Sequence, residues 1–524
     1  MQTALKSRYT WIDGLFLFAA AVCGLLDLAY PFTGDSAMFS IFSHLMSQGA
    51  VLYRDLWDLK PPAIFWFYQA AGAIFGAGPL GPGPLSVHAL ELFYFLAFAV
   101  FAQVALKPYV RHPVAASTIA LLFVGCYYAI AEAALMAQVE GLVGPALFLM
   151  TWAVVTAAQR GHRPLICLFA GGVAGGFVVI FKPLLLIVVI ATAVTAWSVA
   201  SGEKVNQRPR LFVSIVLYLL GVAAIPAGVA VYFAYSGALG ALLTTMFSEP
   251  RYIFAVLPTA PLHRGVSIVW FAAKSFAPLW LLALAAAFFD RFSAARPWKW
   301  AMLAWLVSGS AVIALQRQSW WPHHVWLLLV PLSVLAAFGI DGLLDTLFSE
   351  PSSRRAAGAV VCVAAALLFL LLAVRDVSKL RLLAGDHFAL TASQREAFRR
   401  VVSGEYAEAQ QDASALRASG DRDRSIYIAG NPLMYRFLHA LPAIGINGFS
   451  LEYAPPNRWG QLFAEMRTVR PTDIYVEADY LPLIAQRAPR LSQYISRQYV
   501  KIASNAAGAW YARRPAVLTS SPER

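Results

Sequence analysis

The chain has 524 residues, of which 59% are hydrophobic and only 13% charged, against about 25% charged in an ordinary soluble protein. That apolar excess, with a mean hydropathy of +0.61, excludes a soluble enzyme, a disordered chain and a fibrous protein. The formal charge of +13 reports topology in such a chain and gives no reason to expect nucleic acid as a partner.

A membrane-spanning helix needs about 20 apolar residues. In chain order such runs fall at 11–31, 85–106, 113–131, 141–158, 164–181, 183–200, 211–235, 267–289, 298–315, 323–345 and 357–374. The first run lacks a small-residue cleavage site and reads as a retained span. A further apolar stretch at 62–78 is short, with Pro61-Pro62 before it and a Gly/Pro run after it. The four cysteines all lie in apolar runs and read as small buried hydrophobes. Residues 1–375 carry 22 Lys/Arg and 14 Asp/Glu and form the membrane domain. Residues 376–524 carry 19 and 14 in a much shorter stretch and read as a separate polar domain.

Whether 62–78 crosses decides the orientation of everything after it. With a cytoplasmic N-terminus and no crossing there, the inner segments hold Lys6, Arg8, Lys107, Arg111, Arg160, Arg163, Lys204, Arg208, Arg210, Arg291, Arg296, Lys299, Arg354 and Arg355. That is 14 of the 22 bases, and a crossing at 62–78 would move 12 of them outside. We therefore read 62–78 as a helix in the outer interface. Eleven spans then place the C-terminal domain on the extracytoplasmic side of the inner (plasma) membrane.

Within that domain, 394–400 and 406–417 read as helices, 425–430 as a strand, 433–441 and 459–469 as helices, and 473–477 as a strand. Residues 499–503 and 509–512 read as closing strands, giving a small α/β domain. It has no phosphate-binding glycine motif, so acceptor recognition or shielding of the membrane cavity fits it better than a second catalytic centre.

The first outer loop, 32–84, carries the densest chemistry. Asp35 follows a Gly after the first span, and 36–48 reads as a short helix with Asp35 or Ser36 as its N-cap. Tyr53, Asp55, Trp57, Asp58 and Lys60 follow. A carboxylate can take a proton from a hydroxyl, and a lysine can hold a phosphate as a point charge. Taken singly, Asp35 could be only a cap and Lys60 only a snorkelling anchor. Other residues mapped to the same side join them. Glu132 and Glu140 flank the next outer loop, and Lys182-Pro183 breaks an apolar run. The loop 236–266, with Arg251 and Arg264, suits a mobile cover. Arg317, His323 and His324 precede a late span. Neighbouring histidines on a helix diverge by about 100°, so phosphate contact or hydrogen bonding fits this pair better than metal. Asp27 lies one or two turns below Asp35 and could line the same cavity, whereas Glu91 and Lys274 read as satisfied within the bundle. Carboxylates and cations gathered at one membrane boundary suit an anionic, amphipathic substrate such as a lipid-linked phosphate.

The pattern Gly-x-x-x-Tyr-x-Asp-x-Trp-Asp-x-Lys-Pro-Pro at 49–62, after an Asp that follows the first span, resembles the GT-C superfamily of polyprenyl-phosphate-sugar-dependent glycosyltransferases. The likeness is to the branch containing protein O-mannosyltransferases and the lipid A aminoarabinose transferase. It implies Asp35 as catalytic base and Lys60 beside the donor phosphate. The Trp-Pro-His-His segment before the tenth span resembles a family pattern, and short helices in the first loop are a family trait. Many relatives have Asp-Glu at the first acid, where this chain has Asp35-Ser36. Glu132 and Glu140 compete for the family's second acidic position, and Glu140 is preferred. The likeness is strongest over 25–65.

The chain thus reads as an α-helical polytopic membrane protein of GT-C type, with about eleven spans, outer-interface helices and a small extracytoplasmic α/β domain. It would move a sugar from a polyprenyl-phosphate donor to a lipid, glycan or protein acceptor among the membrane lipids. Asp35 and Glu140 are the catalytic candidates. Lys60, Arg251, His323, His324 and Arg317 are the donor-phosphate candidates, with Asp55, Asp58, Tyr53, Trp57 and Lys182 in support. No cofactor is required, and a divalent metal is compatible with the carboxylates. A transporter of a lipid-linked sugar is the alternative, but no internal repeat is evident, which counts against it. Single cysteines placed at 208 and 354 should react with an impermeant thiol reagent only from the cytoplasmic side.

Overall fold

A computed structural model describes residues 10–160, 164–201, 208–290, 292–349, 351–417 and 424–515. The expected inner bases Lys6, Arg8, Arg163, Lys204 and Arg291 lie outside the described residues. Nine described helices are long and apolar enough to cross a membrane, and a bent pair makes ten. These ten coincide with the expected spans after the first. The expected first span is the helix Trp11–Asp27 (α1), which at 17 residues and 1.5 Å per residue reaches about 25 Å. The eighth expected span is not continuous. Leu262–Ser275 and Ala277–Phe288 meet at 71°. Pro278 stands in the first turn of the second helix, where it lacks the N–H that a continuous helix would need. The expected loop at 236–266 is also largely helical, with helices at Leu239–Leu243 and Glu249–Val256.

The first loop folds into the helices Gly34–Ser47 (α2) and Pro62–Phe75 (α3), followed by a two-residue hairpin and the span Pro84–Leu106 (α4). Pro61 and Pro62 start α3 abruptly, since proline is preorganised for a first helical turn. Its 14 residues reach about 21 Å, short of a hydrocarbon core of about 30 Å. Side-chain pairing fixes the sense of the helices around it. Asp13, near the start of α1, holds Lys107 beyond the end of α4 and accepts from Ser117 Oγ at 2.6 Å. Gln103 Nε2 in α4 donates to the Asp13 carbonyl at 3.2 Å. So α1 and α4 run antiparallel, and the segment between them returns to the face it left. Arg111 with Asp345, and Lys299 with Asp290 at 3.2 Å, are further pairs made by expected inner bases.

The last span does not stop where the charge composition changes at 375. Ser352–Gly385 (α5) runs on as one helix of 34 residues, about 51 Å. Beyond it, Ala392–Val402 (α6) and Gly404–Arg417 (α7) lead into a four-stranded sheet. Its strands are Ile426–Ala429 (β1), Asp473–Glu477 (β2), Tyr499–Ser504 (β3) and Gly508–Arg513 (β4), in the order β1-β2-β4-β3. β1 and β2 are parallel and the remaining pairs antiparallel. Two helices not expected from sequence, Tyr480–Arg487 and Pro489–Gln498, connect β2 to β3.

This domain is docked onto the first loop by backbone and side-chain bonds. Trp57 N donates to the Gly445 carbonyl at 2.7 Å, and Asn447 N donates to the Trp57 carbonyl at 3.0 Å. Asn447 Nδ2 donates to Asp58 Oδ2 at 2.6 Å, while Asn447 Oδ1 accepts from Phe449 N at 2.9 Å. A Cβ on Gly34 would sit 2.4 Å from the Phe449 ring, and one on Gly445 would sit 1.9 Å from the Asp55 carbonyl, so glycine permits both approaches. Asp58→Asn sets amide donor against amide donor in either flip. Losing a charged, buried bond of this kind costs about 1.5–3 kcal/mol. Hydrogen exchange at Asn447 and Phe449 should accelerate roughly ten-fold or more. The exchanged pair Asp58→Asn with Asn447→Asp restores donor to acceptor and should recover most of the protection.

Candidate functional site

Lys60 is fixed by its backbone before its side chain is considered. Its N–H donates to Asp58 Oδ1 at 2.8 Å, and its carbonyl accepts from Tyr53 Oη at 2.8 Å. The following Pro61 keeps it out of helical geometry. Tyr53 itself is buried with φ +69° and stacks on Phe233 with ring centroids 5.5 Å apart. From this mount the Lys60 ammonium reaches Asp35 Oδ2 at 3.3 Å and lies 5.8 Å from the centre of the Phe39 ring. Both partners of the pair keep partial solvent access. Burial alone would lower the Lys60 ammonium, but the facing carboxylates of Asp35, Asp58 and Glu140 outweigh it and hold it above the usual lysine value. Asp58 is fully buried, and desolvation pushes its carboxyl up to about 6.

Asp35 is not the N-cap that its sequence position suggests. Thr33 holds the cap position in extended geometry, and Asp35 stands in the first turn of α2. The free N–H of Gly34 is met by Glu405 Oε1 at 2.7 Å, from α7 of the C-terminal domain. Because a distant carboxylate takes up the helix end, Asp35 is left to face Lys60.

A second charge cluster adjoins the first. Glu140 lies in the first turn of Val139–Arg160 and is buried. Lys182, extended between Phe181 and Pro183, reaches Glu140 Oε1 at 2.6 Å and also bonds Gln316. His324 Nε2 lies 3.8 Å from the same Glu140 oxygen. His323 and His324 sit on a tight 3₁₀ stretch, Pro322–Leu328, with ring centroids 4.8 Å apart. Contrary to the divergence expected of neighbouring histidines, one ligand atom from each of Glu140, His323 and His324 falls within 4.8 Å of the others. Such a carboxylate-imidazole set is of a kind that binds zinc-like cations.

Other expected residues lie elsewhere. Glu132 is exposed, whereas Glu140 is in the cluster. Asp55 pairs with its neighbour Arg54 at 2.7 Å and accepts from Val51 N. Arg251 and Arg317 are exposed, and Arg264 lies over the Trp321 ring at 5.2 Å. Asp27 does not join Asp35. It is buried against Lys379 of α5, with both carboxylate oxygens 2.9 Å from the ammonium. Glu91 is held by Tyr127 Oη at 2.5 Å and Ala137 N at 2.7 Å, while Lys274 is exposed. Trp57 acts as a bracket. Its indole donates to Glu249 Oε2 at 3.0 Å, and Arg458 Nε donates to Glu249 Oε1 at 2.7 Å. Sequence reasoning missed Glu405, Asn447 and Arg458, because each acts across more than 200 positions and carries no local motif. Gln316, beside Arg317 in a polar run at a span end, carried a weak positional signal.

No protein-family model matches the chain, and no curated protein matches it in sequence. Its structure is similar to ArnT from Cupriavidus metallidurans bound to undecaprenyl phosphate, with a TM-score of 0.57 and 14% identity over 95% of this chain and 97% of that one. The apo state of the same protein gives a TM-score of 0.55 with the same identity and coverage. The chain has the GT-C fold.

The Glu140–Lys182 pair should be strongly non-additive. Lys182→Met leaves a buried carboxylate without its ammonium, a change worth about 3–5 kcal/mol. The apparent Tm of the purified protein should fall by several degrees in Lys182→Met. It should recover substantially when Glu140→Gln is added.

Proposed function

We propose that this GT-C chain is a membrane glycosyltransferase that moves a sugar from a polyprenyl-phosphate donor to an acceptor hydroxyl or phosphate at the outer membrane face. The observation that carries this reading is the Asp35–Lys60 pair, 3.3 Å apart and partly open, beside the buried Glu140–Lys182 pair. A base and two ammonium groups at the edge of a helical bundle suit a substrate whose phosphate is anchored in lipid. That ArnT, similar in fold, was solved with undecaprenyl phosphate supports this choice of donor.

In the reaction, Asp35 takes the proton of the acceptor as its oxygen attacks the anomeric carbon. The bond between that carbon and the phosphate oxygen breaks, and the electron pair leaves on the polyprenyl phosphate. Lys60 changes partner at this point, from the Asp35 carboxylate to the developing phosphate charge. Lys182 supplies a second positive charge. Preorganised cations aimed at developing charge in a dry site are the strongest lever available to such a catalyst. Glu140, His323 and His324 are the residues that would hold a divalent cation, whose contribution would be to neutralise phosphate charge, and no step here depends on it. The C-terminal domain, docked over the first loop, excludes water from this side and supplies acceptor contacts.

Asp35→Asn should reduce transfer by roughly 10²–10⁴-fold, the range of a lost general base. Donor binding should change little. Lys60→Ala should instead weaken donor binding as well as turnover. A panel of radiolabelled polyprenyl-phosphate sugars offered to the purified protein measures both. Near-wild-type turnover in Asp35→Asn would overturn the assignment.

A further inference from the structure

A charged cavity, lined by none of Asp35, Lys60, Glu140 and Lys182, lies where α6, α7 and the helix Leu433–Leu438 meet the start of the first loop. Its volume is about 440 Å³, within the range of small-molecule sites of roughly 300–1,000 Å³. Arg399, Arg436, Tyr406, Glu396, Phe32 and His439 are among the residues that line it. We infer that this cavity binds the phosphate of an anionic membrane lipid, with Arg399 and Arg436 as its two contacts.

The charge balance in the wall points to an anion. Arg436 Nη1 donates only to neutral acceptors, Ser40 Oγ at 3.0 Å and the carbonyls of Leu80 at 3.2 Å and Pro82 at 3.5 Å. Arg399 Nε is buried with no hydrogen-bond partner. Among the described residues neither arginine forms an ion pair with a carboxylate. Glu396, the acid in the wall, is occupied. Its Oε2 accepts from Tyr406 Oη at 2.8 Å, and its Oε1 accepts from Gln410 and lies 3.6 Å from Arg400 Nε. Burial, with repulsion from Arg399, pulls the Arg436 guanidinium down to about 10. Two guanidinium groups in one wall, neither in an ion pair with a carboxylate, cost free energy that a bound phosphate would offset, and their planar forks match its oxygens.

The position points to a lipid rather than a free ion. Phe32 lies just beyond the end of α1, and Pro84, also in the lining, opens α4, so the cavity sits level with the ends of two spans on the first-loop face. Between α5 and α6 the residues His387, Phe388 and Ala389 take φ of +49°, +56° and +54° in succession. This turn presents Phe388 and Leu390 outward, 58% and 76% exposed, at the end of a membrane-spanning helix. Ala392, two residues after Leu390, lines the cavity. Exposed apolar side chains beside an arginine pair make an amphipathic receptor of the kind that takes a headgroup with its acyl chains.

The inference is independent of the transfer reaction and is tested by binding. The full-length protein in dodecylmaltoside is titrated with dioctanoyl phosphatidic acid, dioctanoylglycerol and inorganic phosphate, and its apparent Tm is followed. Phosphatidic acid should give a saturable rise. Dioctanoylglycerol and inorganic phosphate should give little at matched concentration. Arg399→Gln should move the phosphatidic acid midpoint at least about ten-fold while leaving the ligand-free Tm near wild type. Arg399→Lys, which keeps the charge but not the fork, should fall between. Arg436→Gln is a poorer probe, because that side chain also ties down the hairpin at Leu80 and Pro82. An unchanged midpoint in Arg399→Gln overturns the site, as does an equal response to dioctanoylglycerol. An equal response to inorganic phosphate overturns the lipid assignment.

Discussion

A charge at the edge of hydrocarbon persists only where an opposite charge or a backbone group meets it. The Lys60 ammonium is the residue around which this constraint is solved. Its backbone is pinned by Asp58 and Tyr53, and its side chain is turned to Asp35. The carboxylates that face it keep it charged, so it carries a fixed positive charge at the mouth of the bundle. Asp58 contributes through its position under the backbone and its bond to Asn447 rather than by touching a substrate. One short stretch therefore performs two tasks. Asp58 and Trp57 hold the C-terminal domain, and Lys60 and Asp35 are left open to a ligand.

That division makes the C-terminal domain part of the site's architecture. Glu405 caps α2 in place of Asp35, Asn447 fills the second oxygen of Asp58, and Arg458 closes on Glu249 under Trp57. Each of these contacts satisfies a polar group that would otherwise be buried and unpaired, at a cost of about 1–3 kcal/mol apiece. The first loop and the domain over it are thus a single packed unit. Removing the domain would strip α2 of its cap and leave Asp35 as the nearest carboxylate able to replace it, which would draw that acid away from Lys60.

The sequence disclosed what depends on local pattern. Apolar run length located the spans, the Lys/Arg distribution argued that 62–78 does not cross, and the loop motif singled out Asp35, Asp58 and Lys60. Short runs of β-branched and aromatic residues placed all four strands of the C-terminal sheet. What it could not disclose were pairings across long separations. Asp27 was grouped with Asp35 because they are neighbours in the chain, but its partner Lys379 is 352 positions away. The preference for Glu140 over Glu132 had no sequence argument behind it; burial and the approach of Lys182 separate the two. The histidines come together at Glu140, more than 180 positions away, and a contact of that kind leaves no trace in periodicity over two residues. The bend at Pro278 was legible in principle, since an internal proline is a break signal, but the apolar run concealed it.

The Asp27–Lys379 pair has a use beyond its own stability. A buried ion pair adds little net free energy over well-packed apolar residues, yet breaking one by removing a partner costs about 3–5 kcal/mol. Its effect is therefore to penalise wrong registers. Lys379 also donates to the carbonyls of Tyr128 and Ala131, so α1 and the end of the helix Cys126–Ile130 both converge on one ammonium. Sliding α5 by a single turn, about 5.4 Å, would leave Asp27 and both carbonyls without it. Because α5 is one unbroken helix from Ser352 to Gly385, that register is transmitted to the turn at His387 and so to α6 and α7. Glu405 can cap α2 because Lys379 has already set the height at which α5 delivers it. Asp27, which by sequence position reads as lining the site, instead belongs to the fixed point from which the C-terminal half of the site is positioned.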